Sequence, residues 1–222
     1  MHQRRVWSNM HGTSSDFTSA AREIRTVGIV GAGKLGTSLA RLALAAGYDV
    51  VINARPKPTL AMILETVVPD AKLVDFETLS QAADIVILAV PHNVASQLDL
   101  PSIRGVIIDA TNPWEATGTN DPDAIAPADA YPELPIARTL NHISYEQLVA
   151  DSRIGQAGIR RAVAVWAADG EAAATAAELV RSFGFDPVLI NKDQTYLFNA
   201  DGRLFGAWLS AEDMREQLSL GK

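Results

Sequence analysis

The chain has no cysteine among its 222 residues. That excludes disulfides, thiolate metal sites and cysteine nucleophiles together, and it is the usage expected of a cytoplasmic protein. Positive charge is also scarce: 19 Lys and Arg stand against 26 Asp and Glu, for a formal charge of -7 and a pI near 5.1. A field of that sign repels phosphate backbones and anionic lipid, so neither nucleic acid nor a membrane surface is an expected partner. Any phosphate the protein binds must be captured locally. No apolar stretch reaches the roughly 18–20 residues of a spanning helix, and the polar first 23 residues lack the apolar segment of a secretory signal. Residues 1–23 therefore read as a mobile tail. The four histidines, His2, His11, His92 and His142, lack the spacing of metal ligands, so no metal is expected. No internal repeat or low-complexity tract is evident.

Most informative among what is present are the six residues Gly31-Ala32-Gly33-Lys34-Leu35-Gly36, which follow the apolar run Val27-Gly28-Ile29-Val30 and open a segment of helical period. In a G-x-G-x-x-G loop the first glycine permits a tight turn, the second lets the backbone approach a pyrophosphate, and the third lets helix and strand pack closely. The anion then meets free N–H groups at a helix N-terminus. An ordinary glycine turn before a helix is the plain alternative. The strand before the loop and the helix after it favour the phosphate reading.

Apolar runs alternate with helical periods along the rest of the chain, the pattern of a mostly parallel sheet covered on both faces. The expected strands are 26–30, 49–53, 72–75, 84–90, 105–110, 135–139, 160–166 and 186–190. A helix is expected over 34–46, with Leu35, Leu39, Leu42 and Ala46 on one face and Gly47 as its stop; another spans the alanine-rich 170–183 and ends at Gly184. This order predicts an α/β, Rossmann-type doubly wound sheet with its ligand crevice at the C-terminal ends of the strands. From Pro113 to Pro135 the chain has five prolines, five acids and no Lys or Arg, which reads either as a lid or as a surface loop. Past residue 190, the stretch 203–218 carries Leu204, Phe205, Trp208 and Leu209 at helical spacing, a face for packing on the body or on a second subunit of a homodimer. The domain expectation is a tail over 1–23, a dinucleotide-binding domain over 24–190 and a C-terminal helical element over 191–222.

About twenty residues past the glycine loop, where an NAD-selective site presents Asp or Glu, the second strand runs into Asn53-Ala54-Arg55. An acid there would repel a 2′-phosphate, whereas the planar guanidinium of Arg55 suits one, with Lys57 close behind. NADP is thus favoured over NAD, the alternative being that Arg55 and Lys57 are solvated loop cations. Lys34 either adds charge to the same pocket or faces solvent. Two more strands end in Val90-Pro91-His92-Asn93 and Thr111-Asn112-Pro113. Each proline keeps its predecessor extended, so both breaks either shape a floor for the nicotinamide or simply end a strand. His92 is a candidate to donate a proton or orient a substrate, or else a structural histidine. Arg138-Thr139-Leu140-Asn141-His142-Ile143 falls on the same side.

Taken together, Gly31 to Gly36, Asn53-Ala54-Arg55, Ile87-Leu88-Ala89-Val90-Pro91, Asp109-Ala110-Thr111-Asn112-Pro113, Arg138-Thr139-Leu140-Asn141 and Gly184-Phe185-Asp186-Pro187 resemble, in order and separation, the NADP oxidoreductases that exchange hydride with the deazaflavin coenzyme F420. The resemblance spans residues 26 to about 190. It implies a Rossmann domain that binds NADP(H) through the glycine loop and Arg55, with a deazaflavin or flavin-like hydride acceptor as co-substrate and a short C-terminal element completing its pocket. Backbone around Val90, Pro91 and Asn112 would position the nicotinamide, and no catalytic side chain is implied. The chain departs from the family at Ala54, where a serine is common, so that Asn53 must supply any side-chain hydrogen bond. A hydroxyacid or imine reductase would add a helical domain, often with a catalytic lysine, yet no lysine stands between Lys72 and Lys192. A non-catalytic NADP-binding sensor or scaffold stays open.

Overall fold

The computed structural model describes residues 24–113 and 125–220. The expected tail, and residues 114–124 of the Pro113–Pro135 stretch, lie outside the described residues. Eight strands form one sheet: β1 (Thr26–Val30), β2 (Asp49–Asn53), β3 (Lys72–Leu73), β4 (Ile85–Leu88), β5 (Val106–Asp109), β6 (Ile136–Thr139), β7 (Ala162–Ala167) and β8 (Asp186–Leu189), in the order β3-β2-β1-β4-β5-β6-β7-β8. The first six are parallel. The 3-2-1-4-5-6 order over them is that of a dinucleotide-binding sheet, whose crevice opens where the order reverses between β1 and β4. β7 pairs antiparallel with β6, and β8 runs parallel to β7, so the last two strands point the other way.

Alternation along the strands sends side chains to opposite faces. Val27 and Ile29 of β1, Ile85 and Ile87 of β4, and Val163 and Val165 of β7 join a core roofed by α1 (Lys34–Ala45), α2 (Leu60–Val67), α6 (Tyr145–Asp151) and α7 (Gly170–Ser182). Val30, Val86, Leu88 and Ile107 face the opposite layer, with Leu79 of α3 (Phe76–Ala82), Ala95 of α4 (His92–Ala95), Leu100 and Ile103. Small residues do the packing on α7: Ala172, Ala176 and Ala177 are buried, which lets the helix lie close to the sheet. Gly47, at φ +91, follows α1 as expected.

The C-terminal stretch differs from expectation. The helix anticipated over 203–218 is instead a turn followed by α8 (Ala211–Ser219), preceded by a 3₁₀ segment over Lys192–Phe198. Three features stop a helix at 203–210. Gly206 takes φ +72, the guanidinium of Arg161 claims the carbonyls of Gly206 and Ala207 at 3.0 and 2.9 Å, and the Leu209 carbonyl accepts from the Ala162 N–H at 2.7 Å. The helix starts only at Ser210, whose hydroxyl and the Asp213 carboxylate form a capping box. Leu204, Met214 and Leu218 pack with Leu197, Phe198, Ala162 and Val188 in a third apolar cluster, while Trp208 stays half-exposed. Where it is described, the 113–135 stretch holds one short helix, α5 (Pro127–Ala130), ahead of β6. Among the described residues no helix is long and apolar enough to cross a membrane.

Candidate functional site

A cavity of about 460 Å³ opens at the C-terminal ends of β1, β2 and β4, a size typical of small-molecule sites. Its lining brings together Gly31, Ala32, Gly33, Asn53, Ala54, Arg55, Val90 and Pro91 from the expected site residues. Val30, Pro56, Lys57, Ala89, Val94 and Leu98 complete it. Val94 and Leu98 stand one helical turn apart just past Pro91, a spacing visible in the sequence but not weighed there.

The three glycines of the loop play separate steric roles. Gly31 has φ +114, and a Cβ there would collide with the Ala89 carbonyl at the exit of β4; its N–H donates to the Asn53 carbonyl at 2.7 Å, tying the turn to β2. A Cβ on Gly36 would overlap the Gly31 carbonyl oxygen, so the start of α1 touches the turn. Gly33 is the opposite case: a Cβ there would meet no atom within 4 Å, because its face is open to the cavity. No side chain caps α1 at Gly33, and no acid stands in its first turn. Its leading N–H groups are thus left for an anion. An open cradle beside unshielded amides fits a pyrophosphate.

At the far side Arg55 and Lys57 line the same cavity, and among the described residues neither is in an ion pair. Asn53 donates through Nδ2 to the Val74 carbonyl at 3.1 Å, which locks its amide and leaves Oδ1 as an acceptor.

Six expected site residues do not line this cavity. Lys34 reaches away from it, with Nζ 2.9 Å from the Tyr145 hydroxyl of α6 and 5.0 Å from the ring centroid. That hydrogen bond, and secondarily the charge of the phenol oxygen, raise the Lys34 amine above the ordinary lysine range. Leu35 packs against the main core, and Gly36 serves through its missing side chain. Asn112 is paired with Asn141: its Nδ2 donates to the Asn141 carbonyl at 2.7 Å, and its Oδ1 accepts from Asn141 Nδ2 at 3.2 Å. Pro113 is half-buried beside it. His92 turns its Nδ1 to Thr111 Oγ1, 3.2 Å away.

These last residues belong to a polar cluster at the ends of β4, β5 and β6. Asp109, fully buried, pairs with Arg138 at 2.8 Å across the β5–β6 register. Arg138 also donates to the Thr111 carbonyl and to Asn199 Oδ1, at 3.2 and 3.3 Å. Leu140 is buried with φ +64, a conformation a branched side chain rarely holds, and it turns Asn141 toward Asn112 and the Phe198 carbonyl. His142 is buried too: desolvation, helped by the positive charges of Arg161 and Arg138, lowers its pKa to about 3. The ring stays neutral, accepting from the Ala164 N–H through Nε2 at 3.3 Å. The Asp109–Arg138 pair was missed in the sequence, although opposite charges ending two neighbouring apolar runs were a usable signal.

Residues 26–113 match the family described as NADP oxidoreductase, coenzyme F420-dependent. The resemblance read from the sequence stands over that stretch, and NADP-linked oxidoreduction is the chemistry for which the matched family is named. Among solved structures, a hypothetical protein of Sinorhizobium meliloti superposes with a TM-score of 0.70 at 23% identity, over 84% of this chain and 96% of the other. A candidate F420-dependent NADP reductase of Arthrobacter sp. FB24 gives 0.63 at 21% identity, over 76% of this chain and 84% of that one. A 1-pyrroline-5-carboxylate reductase of Streptococcus pyogenes gives 0.55 at 17% identity, over 78% of this chain and 61% of the other. At these identities the likeness is one of fold. No curated protein matches the chain.

Proposed function

We propose that this protein binds NADP(H) in the cavity between β1, β2 and β4 and exchanges hydride between the nicotinamide and a deazaflavin or flavin-like acceptor. The observation that carries the reading is the pairing, in one cavity, of an open glycine cradle at Gly33 with the guanidinium of Arg55 and the amine of Lys57, and with no acid on the second strand's exit. Two anionic groups would be gripped at once, the pyrophosphate by the amides that open α1 and the 2′-phosphate by the two cations. When bound, NADPH supplies a hydride from its nicotinamide ring. What the chain contributes is placement: Val90 and Pro91 form the wall along which the dinucleotide runs, and Asn112 and Asn141, locked to each other, border the next part of the crevice. The acceptor side is assigned to residues 191–222 together with the β6 exit, since Phe198 and Asn199 hydrogen-bond Asn141 and Arg138 there. Holding two rings together away from water is the main source of rate in such a transfer.

The direct test follows NADPH oxidation by absorbance with a deazaflavin, a flavin and ferric iron as alternative acceptors, in wild type and in Arg55→Ala. The variant is expected to raise KM for NADPH by about 10-fold to 100-fold and KM for NADH little, the loss of one charge-assisted contact of about 1.5–3 kcal/mol. Equal effects on both nucleotides remove Arg55 from the 2′-phosphate site. Tight NADPH binding without oxidation by any acceptor replaces the enzyme with a sensor.

A further inference from the structure

We propose that His92 is the proton donor of this site, held in one tautomer by Thr111 and Asp109. The assignment rests on the NADP(H) reading above and adds to it a catalytic side chain. His92 opens α4 directly after Pro91, which lines the cavity, and its ring reaches across to Thr111 at the β5 exit.

The hydrogen bonds here have only one consistent direction. Asp109, ion-paired with Arg138 through Oδ2, can only accept, and its Oδ1 lies 2.7 Å from Thr111 Oγ1 and 3.0 Å from the Thr111 N–H. Thr111 must therefore spend its single hydroxyl hydrogen on Asp109. Its oxygen can then only accept from His92, 3.2 Å away, so Nδ1 carries a hydrogen. A neutral His92 is thus the Nδ1–H tautomer, with a basic Nε2 for which no described residue is a partner. Each component is fixed from behind: Asp109 is fully buried, Thr111 is buried, and Arg138 is held by Asn199 as well. A base oriented by a second group, itself oriented by a third, is the arrangement expected of an acid–base histidine and serves no purpose in mere strand termination.

The chemistry needs such a group. Adding a hydride, one hydrogen nucleus with two electrons, to a ring or C=N acceptor leaves an extra electron pair on its nitrogen. A proton must follow. Imidazolium His92 releases the Nε2 hydrogen to that nitrogen, the N–H bonding pair stays on Nε2, and the ring becomes the neutral Nδ1–H tautomer. Nε2 then takes a proton from water. Thr111 and Asp109 keep their hydrogens throughout and are positioning residues.

Two measurements test this. Nitrogen-15 spectra of the histidine-labelled protein in its neutral-ring form are expected to show His92 protonated at Nδ1 and bare at Nε2, with the Nε2 resonance moving when NADP⁺ is added. Turnover with whichever acceptor the wild type reduces is expected to fall about 100-fold in His92→Gln, the usual scale of a lost general acid, with NADPH affinity retained. Thr111→Val is expected to mix the two tautomers and slow turnover, and Thr111→Ser to restore both, a pattern a purely structural threonine would not produce. A hydrogen on Nε2 in place of Nδ1, or His92→Gln turning over at the wild-type rate, overturns the assignment alone. A wild type that reduces no acceptor overturns the functional reading and this proposal together.

Discussion

Gly33 and Gly36 are three residues apart and chemically identical, yet their surroundings give opposite expectations. Gly36 is walled in by the Gly31 carbonyl, so Gly36→Ala forces the turn apart and is expected to cost about 1–3 kcal/mol, the range of overpacked sites. Gly33 faces open space with φ -83, a value alanine adopts freely. Gly33→Ala should therefore leave Tm unchanged while weakening NADPH binding at least ~10-fold, about 1.4 kcal/mol, because the new methyl occupies the cradle. Thermal melts and calorimetry on both variants check the contrast. A Gly33→Ala protein that binds NADPH as well as wild type would move the pyrophosphate elsewhere.

At the scale of elements, the junction of β6, β7 and the 3₁₀ segment 192–198 is closed around His142, whose ring lies edge-on to Phe198 at 4.9 Å. Its folded pKa of about 3 lies below the ordinary value near 6.5. Between those two values the unfolded chain takes up a proton that the native ring refuses, so stability falls as pH drops through that window and is untouched by this group above it. Wild type is expected to lose about 2 kcal/mol from this source between pH 7 and pH 5, and His142→Gln none of it. Urea unfolding at both pH values measures the difference, and equal losses in the two proteins would contradict a buried neutral ring. The elements themselves were largely legible in the sequence. Runs such as Ile85-Val86-Ile87-Leu88 are buried on both faces, and a strand of that kind announces itself by composition alone. The glycine loop and Arg55 were legible for a similar reason, since their chemistry is local. Strand direction was not: nothing in Ala162-Val163-Ala164-Val165 says that it runs against β6. Nor was the burial of Arg161, whose partners Asp151, Gly206 and Ala207 are brought to it from two separate stretches. The Asp109–Thr111–His92 chain escaped likewise, because it exists only when two strand ends lie side by side.

Across the whole molecule, residues 203–220 are tied to the body at a few buried points. Leu204, Met214 and Leu218 are buried, and the main chain of 206–209 satisfies Arg161 and the first N–H of β7. Truncation after Asp201 is therefore expected to leave a buried guanidinium without its carbonyls and to strip one face of β7 and β8, lowering Tm sharply. A truncated protein that melts like wild type would return this stretch to the role of an accessory. The reversal of β7 and β8 has its own consequence. β7 and β8 run toward the opposite rim, yet β8 stops at Leu189, level with Val165 and with Thr139 of β6, and the chain then passes the β6 exit as one strap, 192–207. Under the proposed function, the nucleotide side draws on residues 30–98 and the acceptor side on the β6 exit together with this later strap. An exchange of that strap alone, keeping Asn199 and the Gly206-Ala207 carbonyls, offers a way to retune what is reduced while leaving the reductant's berth intact.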